Sequence, residues 1–210
     1  MKKTVSIKKS LIALIISLFL LPVLAACGSQ SSNQVKAPEG YAPTPIGKHH
    51  VEIEVAKYGT IAIELDGDAA PVTVANFMKL AKEGFYNGLT FHRVINGFMI
   101  QGGDPNGNGT GGSDENIIGE FSANGINNSL SHTRGTISMA RSKSNDSASS
   151  QFFIMQQDNT SLDGNYAAFG HVTSGMEIVD AICTDTPVQD NNGTVAKENQ
   201  PVITAIRVID

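Results

Sequence analysis

The sequence predicts a mainly β protein, a closed antiparallel barrel capped by two α-helices, and three observations carry that expectation. The first is a series of short apolar runs, around residues 91–95, 98–101, 136–140, 151–156 and 167–172, each bounded by glycine, asparagine or serine. The second is the alternation in VEIEVAKYGTIAIEL from Val51, which describes paired strands with one wet face. The third is that only two segments show helical spacing, both short, so the long crossover helices of a parallel sheet are missing.

The N-terminus stands apart from that pattern. MKKTVSIKK is a basic start, and the apolar run over residues 11–24 is shorter than the roughly 20 residues a membrane-spanning helix needs, with Pro22 near its end. Residues 1–26 are therefore expected to be a signal peptide. Leu24-Ala25-Ala26-Cys27 resembles the lipobox of bacterial lipoproteins, which implies cleavage before Cys27 and a lipid on its sulfur. More than one acyl chain is needed for stable anchoring, at about 0.8 kcal/mol per buried CH₂. The stretch up to residue 48 is rich in Ser, Pro, Gly and Ala without an apolar period, so residues 27–48 are expected to be the lipidated cysteine and a flexible tether. The chain is thus expected to be exported and held by its lipid alone at the outer face of the cell membrane.

Residues 49–210 are expected to fold as one domain. A hairpin turning at Tyr58-Gly59-Thr60 comes first. Asp68 and Pro71 then open a helix of about a dozen residues in which Val74, Phe77, Met78 and Ala81 share a face, with Gly84 suited to its C-terminal cap. A second short helix near residues 175–183 and a strand in VITAIRVID close the chain. Cys183 lies in that helix and reads as a small buried apolar residue, leaving stability to the core.

Charge and motifs exclude several functions. The chain holds 15 Lys and Arg against 20 Asp and Glu; loss of Lys2, Lys3, Lys8 and Lys9 with the signal leaves 11 against 20. So acidic a body does not bind nucleic acid or anionic lipid, which need clustered cations. GNGTGG at residues 107–112 has the spacing of a dinucleotide-binding turn, but no helical pattern follows, so it reads as a rim loop. His92, His132 and His171 have serine and aspartate neighbours, yet there is no nucleophile elbow for hydrolysis. His49 and His50 read as solvated surface beside the tether, so no metal or other cofactor is expected.

The positive signal is combinatorial. FHRVINGFMIQGGD at 91–104, GTGG at 109–112, GTISMAR at 135–141, SQFFIM at 150–155 and LDGNYAAFG at 162–170 resemble, in order and spacing, the blocks of the cyclophilins. The resemblance spans roughly residues 50 to 210. It implies an eight-stranded antiparallel barrel and peptidyl-prolyl cis-trans isomerase activity on X-Pro segments, here of unfolded or exported proteins, with the chain expected to act as a monomer. It also implies residue roles. Arg93 matches the catalytic arginine, and Gln101 the glutamine beside it. Phe98, Met99, Phe153 and Leu162 match the pocket for the proline ring, and Tyr166 stands at its rim where many members have histidine. Ala140 and the backbone of Arg141 match the segment that holds the peptide main chain, and Gln151 a second polar contact. Arg141 departs from an asparagine common in eukaryotic members, and Ser161 replaces a tryptophan.

Two other readings fit parts of the chain. The groove could bind proline-bearing segments as a chaperone or scaffold with little catalysis, against which Arg93 and Gln101 argue. A solute-binding lipoprotein would need two α/β lobes, for which the body is too short. The register of FHRVINGFMIQGGD carries a structural expectation. A strict two-residue turn at Asn96-Gly97 would pair Arg93 with Ile100 and put Arg93 and Gln101 on opposite faces. The proposed site therefore requires a longer turn or a bulge.

Overall fold

The structure is a computed structural model and describes residues 39–44 and 46–210. The expected signal peptide, Cys27 and the first part of the tether lie outside the described residues. Eight strands form one antiparallel sheet: β1 Lys48–Val55, β2 Gly59–Asp66, β3 Phe91–Ile95, β4 Met99–Gly102, β5 Thr136–Met139, β6 Phe152–Met155, β7 Ala168–Ser174 and β8 Ile203–Val208. Helix α1 covers Pro71–Lys82 and α2 covers Met176–Asp185. The alternation read at the start of the domain holds: Val51, Ile53 and Val55 are buried on β1 opposite Ile63, Ile61 and Gly59 of β2. Their turn is Ala56-Lys57-Tyr58 rather than Tyr58-Gly59-Thr60, because Lys57 itself takes the left-handed backbone and frees Gly59 to pair with Val55.

The strand order is β3-β4-β6-β5-β7-β2-β1-β8, so β3 and β8 are the edges. The sheet curls until these edges meet, but the continuous closed barrel expected from the sequence is not formed. A single bridge joins Thr90 to Val202, flanked by bonds from Phe91 N–H to the Pro201 carbonyl and from Ile203 N–H to the Leu89 carbonyl. Two features stop the ladder there. Pro201 has no N–H to donate, and the free side of β3 is already taken by the 193–195 segment, through Val94 N–H to Gly193 and Val195 N–H to His92.

The main core gathers Phe77, Tyr86, Phe91, Phe152 and Phe169, all fully buried, with the inward residues of the strands. Phe77 of α1 touches Tyr86, Phe152 and Phe169 at centroid distances of 5.1, 5.4 and 5.2 Å. The helix has Ala70 at its N-cap and no side-chain cap of its own. Its first amides are instead satisfied from afar: Glu120, itself fully buried, accepts from Val72 N–H at 3.0 Å and Thr73 N–H at 2.8 Å, and from the Tyr41 hydroxyl at 3.0 Å. Ile46 N–H bonds the Gly67 carbonyl and Gly67 N–H bonds the Gly47 carbonyl, so residues 46–48 belong to the folded body rather than to the tether. Cys183 is a free, buried thiol that burial pushes up to about 12, in keeping with an inert core residue.

Candidate active site

The site grows from the β3–β4 hairpin. Ile95 pairs with Met99, leaving a three-residue turn in which Phe98 N–H bonds the Ile95 carbonyl and Gly97 takes φ 81°, a left-handed conformation open to glycine. The turn is longer than two residues, as the site required, and a bulge at His92 follows. Arg93 consequently stands directly opposite Gln101. From there the rung continues to Phe153 of β6 and Ser138 of β5. Directly opposed residues share a face, so one rung carries Arg93, Gln101, Phe153 and Ser138 on the same side of four strands. The next rung, Val94, Ile100, Ile154 and Ile137, points the other way and is buried in the main core.

The mixture of large apolar and polar groups in FHRVINGFMIQGGD is therefore two faces of one hairpin. On the site face, Met99, Phe153 and Met155 form a second, smaller buried cluster with Ile95, Phe98, Ala140, Leu162 and Tyr166 packed against it. Above this cluster lies a cavity of about 240 Å³, lined by Arg93, Phe98, Met99, Gln101, Ala140, Arg141, Phe153, Leu162 and Tyr166. Those are all the residues singled out from the sequence except Gln151, which lines an adjoining polar cleft of about 400 Å³ reached past Gln101, Ala140 and Arg141.

The polar edge is held by a directional chain. Arg93 Nη1 donates to Gln101 Oε1 at 3.1 Å, Gln101 Nε2 donates to Gln151 Oε1 at 2.9 Å, and Gln151 Nε2 donates to the Gly111 carbonyl at 2.7 Å. The other side of the guanidinium is fixed by Asn192, whose carbonyl accepts from Nε at 2.8 Å and whose Oδ1 accepts from Nη2 at 3.2 Å. Asn192 can come this close because Gly193 lies against β3, where any Cβ would collide with the Val94 carbonyl. Burial pulls the Arg93 guanidinium below its ordinary value while Tyr166 and Asp190 oppose it; an arginine stays cationic at neutral pH nonetheless. GNGTGG is the rim loop anticipated: Asp104 accepts from the amides of Asn106, Asn108 and Gly109, and no helix opens after it.

Sequence reasoning missed Asn192, Met155 and the support behind Phe153. The Asn192-Gly193 pair signals a turn, but nothing local says that the turn lands on β3. Behind Phe153, His132 stacks at 5.9 Å with an interplanar angle of 16°. Its Nδ1 bonds Asp163 Oδ1 at 2.7 Å and its Nε2 bonds Ser138 Oγ at 2.9 Å. This is the topology of a Ser-His-Asp triad, yet Ser138 and His132 are fully buried, so no substrate reaches the hydroxyl. The trio supports the pocket wall. Burial lowers the His132 pKa against the pull of Asp163, so the ring is neutral, donating from Nδ1 and accepting from Ser138.

His92 is likewise lowered, first by burial. A histidine whose folded value is depressed stabilises fully above its ordinary 6.5, and that contribution is lost as pH falls towards the folded value. The unfolding temperature is expected to drop between about pH 7 and pH 5, and a midpoint unchanged by acid over that range contradicts the assignment of both rings as neutral.

Comparison with known proteins gives a consistent result. The family model of the cyclophilin type peptidyl-prolyl cis-trans isomerases matches residues 50–208. Peptidyl-prolyl cis-trans isomerase B of Bacillus subtilis is 47% identical over 138 residues, 66% of this chain and 87% of that protein. A peptidyl-prolyl cis-trans isomerase of Helicobacter pylori is 49% identical over 126 residues, 59% of this chain and 74% of that one. Among solved structures, a cyclophilin type peptidyl-prolyl cis-trans isomerase of Cryptosporidium parvum, in the presence of the dipeptide Ala-Pro, superposes with a TM-score of 0.68 at 31% identity, covering 77% of this chain and 99% of that one.

Proposed function

Given that the chain belongs to the cyclophilin-type peptidyl-prolyl cis-trans isomerase family, we propose that Arg93 is its catalytic residue, with Gln101, and that the cavity over Phe153 seats the proline ring. The observation that carries this reading is the Arg93–Gln101 pair at 3.1 Å at the edge of a cavity that Phe98, Met99, Phe153 and Leu162 also line. The related chain solved in the presence of Ala-Pro supports proline-bearing peptides as ligands.

The chemistry needs no covalent step. An X-Pro bond resists rotation because amide resonance raises a barrier of about 18–20 kcal/mol, while its isomers differ by only about 0.5–1 kcal/mol. At the twisted midpoint the prolyl nitrogen regains a lone pair. A guanidinium can donate to that lone pair only there, so its contribution falls on the transition state and not on either isomer. Gln101 and Asn192 hold the guanidinium in place, and Gln101 also offers its amide to the peptide backbone. Phe98, Met99, Phe153 and Leu162 grip the ring in a poorly hydrated site, which strengthens the polar contacts at its edge. Ala140 and the backbone of Arg141 hold the chain on one side of the bond, with Tyr166 at the rim and Gln151 as a second polar contact.

We further propose that the enzyme works as a monomer on exported proteins at the outer face of the cell membrane, anchored through Cys27 and its tether. The supporting features are the basic and apolar N-terminus, the Leu24-Ala25-Ala26-Cys27 sequence and the acidic body. Isomerisation of X-Pro peptides by residues 28–210 tests the activity, and failure on every peptide of a broad panel refutes it. Metabolic labelling tests the anchor: incorporation of palmitate is expected in the whole chain and is expected to vanish in Cys27→Ser. Label that persists in the variant excludes Cys27 as its site.

A further inference from the structure

Arg141 stands on the ridge between the apolar cavity and the polar cleft and lines both. Its guanidinium lies between two rings, 5.0 Å from the centroid of Phe121 and 4.9 Å from that of Tyr166. Nε donates to the Asn165 carbonyl at 2.9 Å and Nη1 to the Ser142 carbonyl at 3.0 Å, which fixes the group in place. Nη2 has no hydrogen-bond partner among the described residues. Tyr166 in turn meets Phe153 edge-on at 5.9 Å, so the arginine is tied to the wall of the proline cavity.

The cleft on the far side is polar and wide enough for a side chain. Apart from Arg141, its lining is glycine, alanine and uncharged polar residues, Thr110, Ser113, Asn116, Ser149 and Gln151 among them. No carboxylate lines it. Of the acidic groups near it in sequence, Asp114 and Glu115 line a separate pocket with Lys79, and Asp146 accepts from Gly119 N–H at 2.9 Å and from Asn124 at 2.7 Å. A fixed cation therefore lines a cleft of neutral hydrogen-bonding groups, in a chain whose net charge is negative. The two cavities share Gln101, Ala140 and Arg141, so a chain with its proline in one can place a flanking side chain in the other, at about 3.3 Å per extended residue.

On the reading that the apolar cavity seats proline, we infer that this cleft selects an acidic side chain flanking the proline, and that Arg141 is the residue that determines the selection. Lysine at that position meets a like charge, and an uncharged side chain gains only neutral hydrogen bonds. Long-range repulsion from the acidic body works against acidic peptides at low salt. At about 0.15 M salt the screening length is about 8 Å, and the local contact dominates.

The test uses the full-length chain and proline peptides carrying Glu, Gln or Lys at each flanking position, with Kd read by titration independently of turnover. At one position the Glu peptide is expected to bind about fivefold more tightly than the Lys peptide, the upper end for a partly exposed ion pair. In Arg141→Gln the ratio is expected to fall towards one, and in Arg141→Lys to keep part of its value, because the charge remains while the stacking is lost. A Glu to Lys ratio of one or less at every position in the wild type overturns the inference, as does a ratio that survives in Arg141→Gln. Turnover of the Gln peptides, measured separately, reports on the isomerase reading.

Discussion

Replacing Arg93 by alanine is expected to lower turnover of X-Pro peptides by a factor of about ten to a thousand, with the fold intact. The lower part of that range follows from the loss of one charge-assisted hydrogen bond, roughly 1.5–3 kcal/mol, at about 1.4 kcal/mol per factor of ten. The upper part follows from position. Arg93 also orients Gln101, and without it the chain from Gln101 to Gln151 and Gly111 loses its first donor. The full catalytic effect cannot reside in this residue alone, since a rate gain of 10⁵ would need about 7 kcal/mol of differential binding. The grip on the ring and the groove must supply the rest. Arg93→Lys is expected to fall between the two, because an ammonium keeps the charge but cannot reproduce the fork that bonds Asn192 twice and Gln101 once. Turnover and unfolding measured on the same preparations decide the matter. Near-wild-type turnover in Arg93→Ala removes the catalytic assignment, and a large drop in unfolding temperature shows that its role is structural.

The second large effect is on stability. Glu120→Ala is expected to cost about 2–4 kcal/mol, because two amides at the start of α1 and the Tyr41 hydroxyl lose their acceptor together. The helix has no substitute: Ala70 offers no side-chain cap, and Pro71 spares only the one amide it lacks. Glu120→Gln keeps the volume and one acceptor oxygen, but its NH₂ replaces the other acceptor and faces a backbone donor, so a loss of about 1–3 kcal/mol is expected. Tyr41→Phe removes a single bond and should cost less than Glu120→Ala. Chemical denaturation of the three variants provides the comparison. Equal stability of Glu120→Ala and wild type would mean that water caps the helix as well as the carboxylate does.

The elements and most of the candidate site were legible beforehand, for physical reasons that differ by residue. Strands and helices announce themselves through period and punctuation, which are local. Phe98, Met99, Phe153 and Leu162 were found through resemblance of whole blocks, since an apolar residue lining a pocket looks in isolation like any core residue. Asn192 was not found, because its contact with Arg93 spans 99 positions and depends on where a turn docks. Glu120 was missed for the same reason, since a cap supplied 47 residues away leaves no capping pattern at the helix start. The closed barrel was expected because nothing in the strand pattern says that the 193–195 segment reaches β3 before β8 does.

The sequence by itself determined that this is a β-rich isomerase domain with an acidic body, because alternation, glycine punctuation and ordered motif blocks are properties of neighbouring residues. Only the tertiary structure decided the register. Side chains in a strand change face at each step, so the three-residue turn around Gly97, not the composition of FHRVINGFMIQGGD, puts Arg93 and Gln101 on one side. It likewise decided that Asn192 clamps the arginine, that His132 backs Phe153 and that Arg141 faces two cavities. Each of these is a meeting of distant segments, and such meetings are set by how the sheet curls rather than by any local preference.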